Sequence, residues 1–225
     1  MPSLTEAVAV SAPGVLVGAT AYCSHPADLD VARIGGTKNP DVAAVIALAP
    51  DLVLANEEEN RPEDLAALAD AGLAVDVTQV RTVPEGLDEL GRILERIGAG
   101  SPAWLAAARA AWVQPYDGPR RRAVVPIWRR PWMALGRDTF AGDLLARLGV
   151  DNVLAAEPER YPRFDPTSLP PLDLAVLPDE PYAFAAGDGP EAFAVASALV
   201  SGRHLTWYGP SLAEARQVLT RQLAL

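Results

Sequence analysis

What most restricts this chain is a stretch, residues 82–113, in which apolar side chains keep helical spacing far longer than anywhere else. Val83, Leu87, Leu90, Leu94 and Ile97 recur three or four residues apart, then Trp104, Leu105, Ala108 and Trp112 continue the stripe. Gly98 and Pro102 predict a bend within it, and Pro115 and Pro119 end it. Short apolar runs alternate with helical patterns on both sides. Before the stretch, Ser3 and Glu6 have capping-box spacing for a helix ending near Pro13-Gly14. A strand is predicted at 15–18, a helix at 41–48, a buried strand at 52–55, a helix at 63–71 capped by Gly72, and a strand at 74–77. After it the pattern predicts a strand at 123–127, a helix at 139–148 and a strand at 174–177. Helices at 191–199 and 211–223 complete it. Such alternation predicts mostly parallel sheets. The fold class is therefore α/β, with two lobes, 1–81 and 119–225, joined by a long backbone helix in 82–118.

Composition narrows the function. The 225 residues are half hydrophobic, enough for one large domain or two small cores, with a net charge of −10. That acidity excludes a nucleic-acid footprint, which needs clustered positive charge. The longest apolar run, 42–55, is broken by Pro50-Asp51, so no membrane span is predicted. The single cysteine, Cys23, excludes an intrachain disulfide. Met1 leads straight into Pro2-Ser3-Leu4-Thr5-Glu6 without a basic or apolar leader, so the chain as it stands reads as cytoplasmic.

In parallel α/β lobes, ligands sit at the carboxyl ends of strands, so the loops after the strands carry most weight. These loops hold Tyr22, Cys23 and His25; Thr37 and Lys38, the only lysine; Asn56, Glu58 and Asn60 around the run Glu57-Glu58-Glu59; Trp128, Arg129 and Trp132; and Trp207-Tyr208. Cys23 and His25 admit three readings: half of a metal site, a thiol nucleophile with its base, or a loop pinned by Pro26. A closed metal site would need carboxylate help, since the only other histidine is His204. Gly35-Gly36 lacks the frame of a nucleotide loop. Trp104 and Trp112 lie on the helical stripe and read as packing. The loop tryptophans suit a large, flat, partly apolar ligand, with packing as the alternative.

Pro2-Ser3-Leu4-Thr5-Glu6, Gly18 through Pro26, Gly35-Gly36-Thr37-Lys38-Asn39-Pro40-Asp41 and Ala47 through Asn56 together resemble the helical-backbone metal receptor superfamily. Gly136-Arg137-Asp138-Thr139-Phe140, Tyr161-Pro162 and Leu205 through Pro210 extend the resemblance in order along the chain. That superfamily includes the vitamin B12-binding periplasmic protein and the iron-siderophore receptors. The resemblance implies two α/β lobes on one rigid backbone helix, with the ligand between them. It places ligand contacts near Tyr22, Thr37-Lys38, 56–60, 128–132, Tyr161 and Trp207-Tyr208.

Three departures from the pattern qualify what it implies. Importer-coupled receptors carry a docking glutamate on each lobe. Here Ala43 stands at the first position, with Asp41 and Asp165 as the nearby acids, so an ABC permease partner is not evident. The opening strand, an apolar run ahead of Pro-Ser-x-Thr-Glu, has no counterpart before Pro2, which implies a native start upstream. A leader there would make the protein periplasmic or extracytoplasmic. The histidines of bare-metal receptors and the D-x-H-x-x-G signature of base-off corrinoid domains are absent. The expected function is non-catalytic binding of a corrinoid or related metal chelate by a monomer with no covalent cofactor. The alternatives are a metal-handling protein or enzyme using Cys23, His25 and Glu58, and the siderophore-binding component of an ABC importer.

Overall fold

The computed structural model describes residues 1–224. They form two compact units: Met1–Gln79 with Asp88–Leu105, and Val80–Leu87 with the chain from Ala106 onward.

In the first unit, helix α1 (Pro2–Ser11) leads to strand β1 (Gly18–Ala19), which pairs in parallel with β2 (Ala32–Arg33). Pro2, not Ser3, opens α1. Proline's fixed φ suits the first turn, and Ser3, Thr5 and Glu6 are buried rather than spent on a cap. Helix α2 (Val42–Leu48) starts where Asp41 accepts from the Ala44 N–H. Strand β3 (Val53–Asn56), helix α3 (Pro62–Asp70) and strand β4 (Val75–Thr78) follow, with β3 parallel to β4. The unit's strands therefore form two separate two-stranded pairs, β1-β2 and β3-β4. Asp76 of β4 is buried and bound at both oxygens by Arg92, at 2.7 and 2.8 Å, and by Arg96 at 2.5 Å.

The 82–113 stripe is two helices, α4 (Val83–Arg96) and α5 (Ala103–Trp112), not one. Gly98 and Gly100, at φ +75° and +64°, end the first, and their left-handed backbone is the physical reason the spine is not continuous. The predicted stripe is otherwise kept: Val83, Leu87, Leu90, Leu94, Leu105, Ala108 and Trp112 are all buried. The capping box is Thr82/Glu85: Glu85 accepts from the Thr82 N–H at 3.1 Å and Thr82 Oγ1 accepts from the Glu85 N–H at 3.3 Å.

The second unit is built on a four-stranded parallel sheet in the order β10-β9-β5-β8. Its strands are β5 (Arg121–Val124), β8 (Val150–Asn152), β9 (Leu174–Pro178) and β10 (Ala196–Val200). β9 is buried along its whole length, as a central parallel strand should be. Between β5 and β8 lie the antiparallel hairpin β6 (Pro126–Arg129) and β7 (Trp132–Ala134) and helix α6 (Phe140–Ala146). Helices α7 (Gly202–Thr206) and α8 (Leu212–Gln222) close the unit. Two expectations are corrected here. Residues 191–199 are a 3-10 turn (Pro190–Ala192) followed by β10, not a helix. The alanines suit a helix, but pairing with β9 overrides that preference and buries Ala198 and Val200 while Leu199 points out. Residues 128–133 are a hairpin rather than a strand-end loop.

Candidate functional site

At the carboxyl end of β3, Asn56 organises the loop that follows. Its buried side chain donates to Thr78 Oγ1 and O at 3.1 and 3.2 Å, and its Oδ1 accepts from the Glu58 N–H at 3.0 Å. Asn60 accepts from the Asn56 N–H at 2.9 Å and donates to the Thr37 carbonyl at 2.9 Å, while Thr37 donates to Glu59 at 3.1 Å. Gln79 hydrogen-bonds Glu57. The structure thus joins three of the predicted contacts, Thr37, Asn56 and Asn60, into one network, with Glu58 half-buried beside them. These amides are used in fastening two loops together.

Gly35 makes the neighbouring loop turn. At φ +82°, any Cβ would lie 2.8 Å from the Asn39 carbonyl. The turn carries Lys38 outward, and Tyr22, 71% exposed, lies against Gly36.

Cys23 and His25 are not assembled into a reactive pair. The thiol is 1% exposed, donating to Thr5 Oγ1 at 3.1 Å and lying 3.1 Å from Thr20 Oγ1, whereas the His25 ring meets Ser24 at 3.1 Å. Burial against α1 removes the thiol from the surface. Among the described residues no group of three or more His, Cys, Asp or Glu is placed to hold a metal.

In the second unit the hairpin β6–β7 presents Trp128, 43% exposed, with Tyr182 edge-on at 5.6 Å. Arg129 ion-pairs with Asp188 and Glu191, and its guanidinium lies 5.3 Å above the Trp132 ring. Tyr182 donates to Asp188 at 2.6 Å. The Gly189 N–H, with Arg129 adding to it, holds the Glu191 carboxyl below its ordinary value. Trp132 stacks on Phe184 and meets Phe164 and Phe193, so it is a core-edge ring rather than a ligand platform. Tyr161 is half-buried beside a cavity of about 380 Å³ shared with Met133, Glu157 and Arg163.

Trp207 and Tyr208 do not present ring faces to a ligand; they are 7% and 4% exposed. Arg203 covers Trp207, Glu180 hydrogen-bonds it, and Tyr208 packs on Phe140. The reason is topological: the strand before them is followed by α7, so 207–208 connects two packed helices instead of ending a strand. Burial pushes the Glu180 carboxyl up, aided by nearby Asp179. Tyr182, Asp188 and Glu191 were not anticipated. Their signal was present, because they follow the predicted strand at 174–177.

No protein-family model matches the chain, and no curated protein does. Solved structures do. The chain is similar to the periplasmic vitamin B12-binding protein BtuF of Vibrio cholerae, with a TM-score of 0.76 and 17% identity over 100% of this chain and 94% of that one. It is also similar to a periplasmic heme-binding protein of Pseudomonas aeruginosa, at TM-score 0.75 and 20% identity over 98% and 90%. The periplasmic heme-binding protein RhuT of Roseiflexus sp. RS-1 gives 0.72 and 19% over 98% and 94%. The chain has the α/β fold of the class III periplasmic binding proteins, the fold its sequence motifs resemble.

Proposed function

We propose that the protein reversibly binds a corrinoid or related large metal chelate, without chemical turnover, as an extracytoplasmic solute-binding component of an ABC importer. The observation that carries this reading is one exposed aromatic ring in each unit, Tyr22 after β1 and Trp128 on the β6–β7 hairpin. Tyr22 and Trp128 stand out on a chain whose other tryptophans are at least half-buried. Exposed rings of this kind suit stacking against a flat, partly apolar ligand. In this reading Lys38 and Glu58 are the polar groups the first unit offers, and the Arg129–Asp188–Glu191 group is what the second unit offers. The solved structures of the same fold include vitamin B12-binding and heme-binding proteins, which supports both the ligand class and the location. Asp41 and Asp165 are exposed acids that cap helical turns and are the docking groups offered to a permease.

Titration with cyanocobalamin, hemin and a ferric hydroxamate siderophore, followed by tryptophan fluorescence, tests the reading. Saturable quenching by one of them at about micromolar concentration is expected, with affinity falling about tenfold in Trp128→Ala. No quenching by any of the three would overturn it.

A further inference from the structure

In the second unit, the turn between β7 and α6 sets one acid, Asp138, among arginines. The Leu135 N–H bonds the Val125 carbonyl, and Asn152 donates to the carbonyls of Leu135 and Gly136 at 2.8 and 3.2 Å. These bonds fix the turn at the carboxyl ends of β5 and β8, where α/β folds bind ligands. The chain at 159–160 packs so closely on it that Gly136 has no room for a Cβ. Asp138 takes left-handed backbone, φ +51°, which a residue with a side chain keeps only where its surroundings hold it. Arg160 does so, with Nε and Nη2 both donating to the Asp138 carbonyl, at 3.0 and 2.7 Å. Arg137 Nε donates to the Asp138 carboxylate at 2.7 Å. The third arginine is Arg81, in the segment Val80–Leu87 of the same unit. The Val83 N–H donates to Asp143 of α6 at 2.8 Å, which ties the start of α4 to this turn. The hydrogen bond from Arg137 keeps the Asp138 carboxyl below its ordinary value of 3.8, and the charges of Arg137, Arg81 and Arg160 add to it.

Three guanidiniums against one carboxylate is an imbalance in a chain whose net charge is −10. At Asp76, by comparison, two arginines meet two acids, because Glu89 joins Arg92. Of the acids near the turn in sequence, Glu85 is spent on the N–H groups of Arg81 and Thr82, and Glu157 and Glu159 line the cavity with Arg163. The side chains of Arg137 and Asp138 are about half exposed, so the group is open to solutes. We propose that Arg81, Arg137 and Arg160 form a binding site for a dianionic oxyanion, a phosphate or a pair of carboxylates, which shares these guanidiniums with Asp138. A guanidinium stays charged at any physiological pH, and its planar fork matches a carboxylate or phosphate edge. Asp138 serves the site twice. Its carbonyl and carboxylate orient Arg160 and Arg137 before the anion arrives, and its own charge keeps binding weak and reversible. The anion is free in solution or is carried on the rim of a metal chelate. Only in the second case does the inference rest on the function proposed above.

Calorimetric titration at low, constant ionic strength tests it, with inorganic phosphate and malonate as probes. Binding of at least one is expected at about millimolar concentration, and about tenfold weaker in Arg137→Gln. Asp138→Asn should tighten it about threefold, because asparagine tolerates the left-handed turn and removes the like charge. A cluster that only holds the turn together would not bind more tightly once its acid is gone. Hemin and its dimethyl ester identify the source. A preference of the wild type for hemin that Arg137→Gln erases assigns the anion to the chelate, and binding of phosphate or malonate without that preference assigns it to solution. Neither anion bound and no such preference would overturn the proposal, as would anion binding that Arg137→Gln leaves unchanged or Asp138→Asn weakens. Failure of every chelate to bind would overturn the proposed function and leave the two anion titrations to decide this site.

Discussion

The two units of this protein pair their strands in ways their composition does not announce. In the second unit four strands form one ladder, and β9 at its centre is buried from end to end. In the first unit four strands stand as two pairs, β3 is only half-buried at Val53 and Leu54, and Val15 and Val17 face outward. Both units are rich in valine, leucine and alanine. The difference teaches that apolar content becomes burial only where strand edges are paired, because a parallel strand needs neighbours on both sides and cover on both faces.

The largest effect expected is in the continuous sheet. Leu177→Ala, in the middle of β9, should cost about 3 kcal/mol in urea unfolding, as fully buried leucines do. Leu54→Ala, its counterpart in β3, should cost about 1 kcal/mol, because Leu54 is only partly buried. Equal costs would break the comparison; a Val53→Ala cost as small as that of Leu54→Ala would sharpen it.

The two hairpin tryptophans extend the contrast within one unit. Trp132→Ala should lower stability by about 2–3 kcal/mol, since it strips the ring packed on Phe164, Phe184 and Phe193. Trp128→Ala should cost no more than about 1 kcal/mol in stability while weakening ligand binding.

Acid should act on the units with opposite sign. Hydrogen bonds from Arg92, with Arg96 adding to them, hold the Asp76 carboxyl below its ordinary value of 3.8. A depressed folded value contributes stability above the unfolded value, and that stability is lost as pH falls through the folded one. Asp76→Asn should therefore cost about 2 kcal/mol at neutral pH and flatten the loss of Tm below about pH 4. Glu180 runs the other way. Its raised value favours the neutral acid, so its contribution is present in acid and lost as pH rises through the folded value. Glu180→Gln should raise Tm slightly at neutral pH and leave it unchanged in acid; a fall at neutral pH would show that the carboxylate is needed there.

The smallest effects lie at the helix caps. Asp41→Ala removes the acceptor for the Ala44 N–H, and Thr139→Ala removes that for the Gly142 N–H. Each should cost about 1 kcal/mol, Thr139 more because it is buried in the better-packed unit. Circular dichroism melts would rank them.

Much of this was legible in the residues. Strands β3, β4, β5 and β9 and helices α2, α3, α6 and α8 fall within a few positions of their predicted ranges, because each is a short apolar run or an amphipathic stripe with its own stop signal. β10 was not legible, since Ala-Ser-Ala-Leu-Val carries no strand signal until β9 lies beside it. Two-residue strands such as β1 and β2 are too brief to show a period. Of the candidate site, Thr37, Asn56 and Asn60, which the strand-end rule picked out, meet in one hydrogen-bonded network, whereas Trp207-Tyr208, picked out by the same rule, are buried because the helix α7 after β10 was not foreseen.

The sequence by itself determined the class of fold: periodicities of 2 and 3.6 are local properties, and their alternation leaves few alternatives to parallel α/β units. Only the tertiary structure decided which aromatics face water, that the Cys23 thiol turns inward to Thr5, and that the strands of the first unit stand as two separate pairs. Those outcomes depend on which strand edges and helix faces meet across distant parts of the chain, and no local pattern of residues records that.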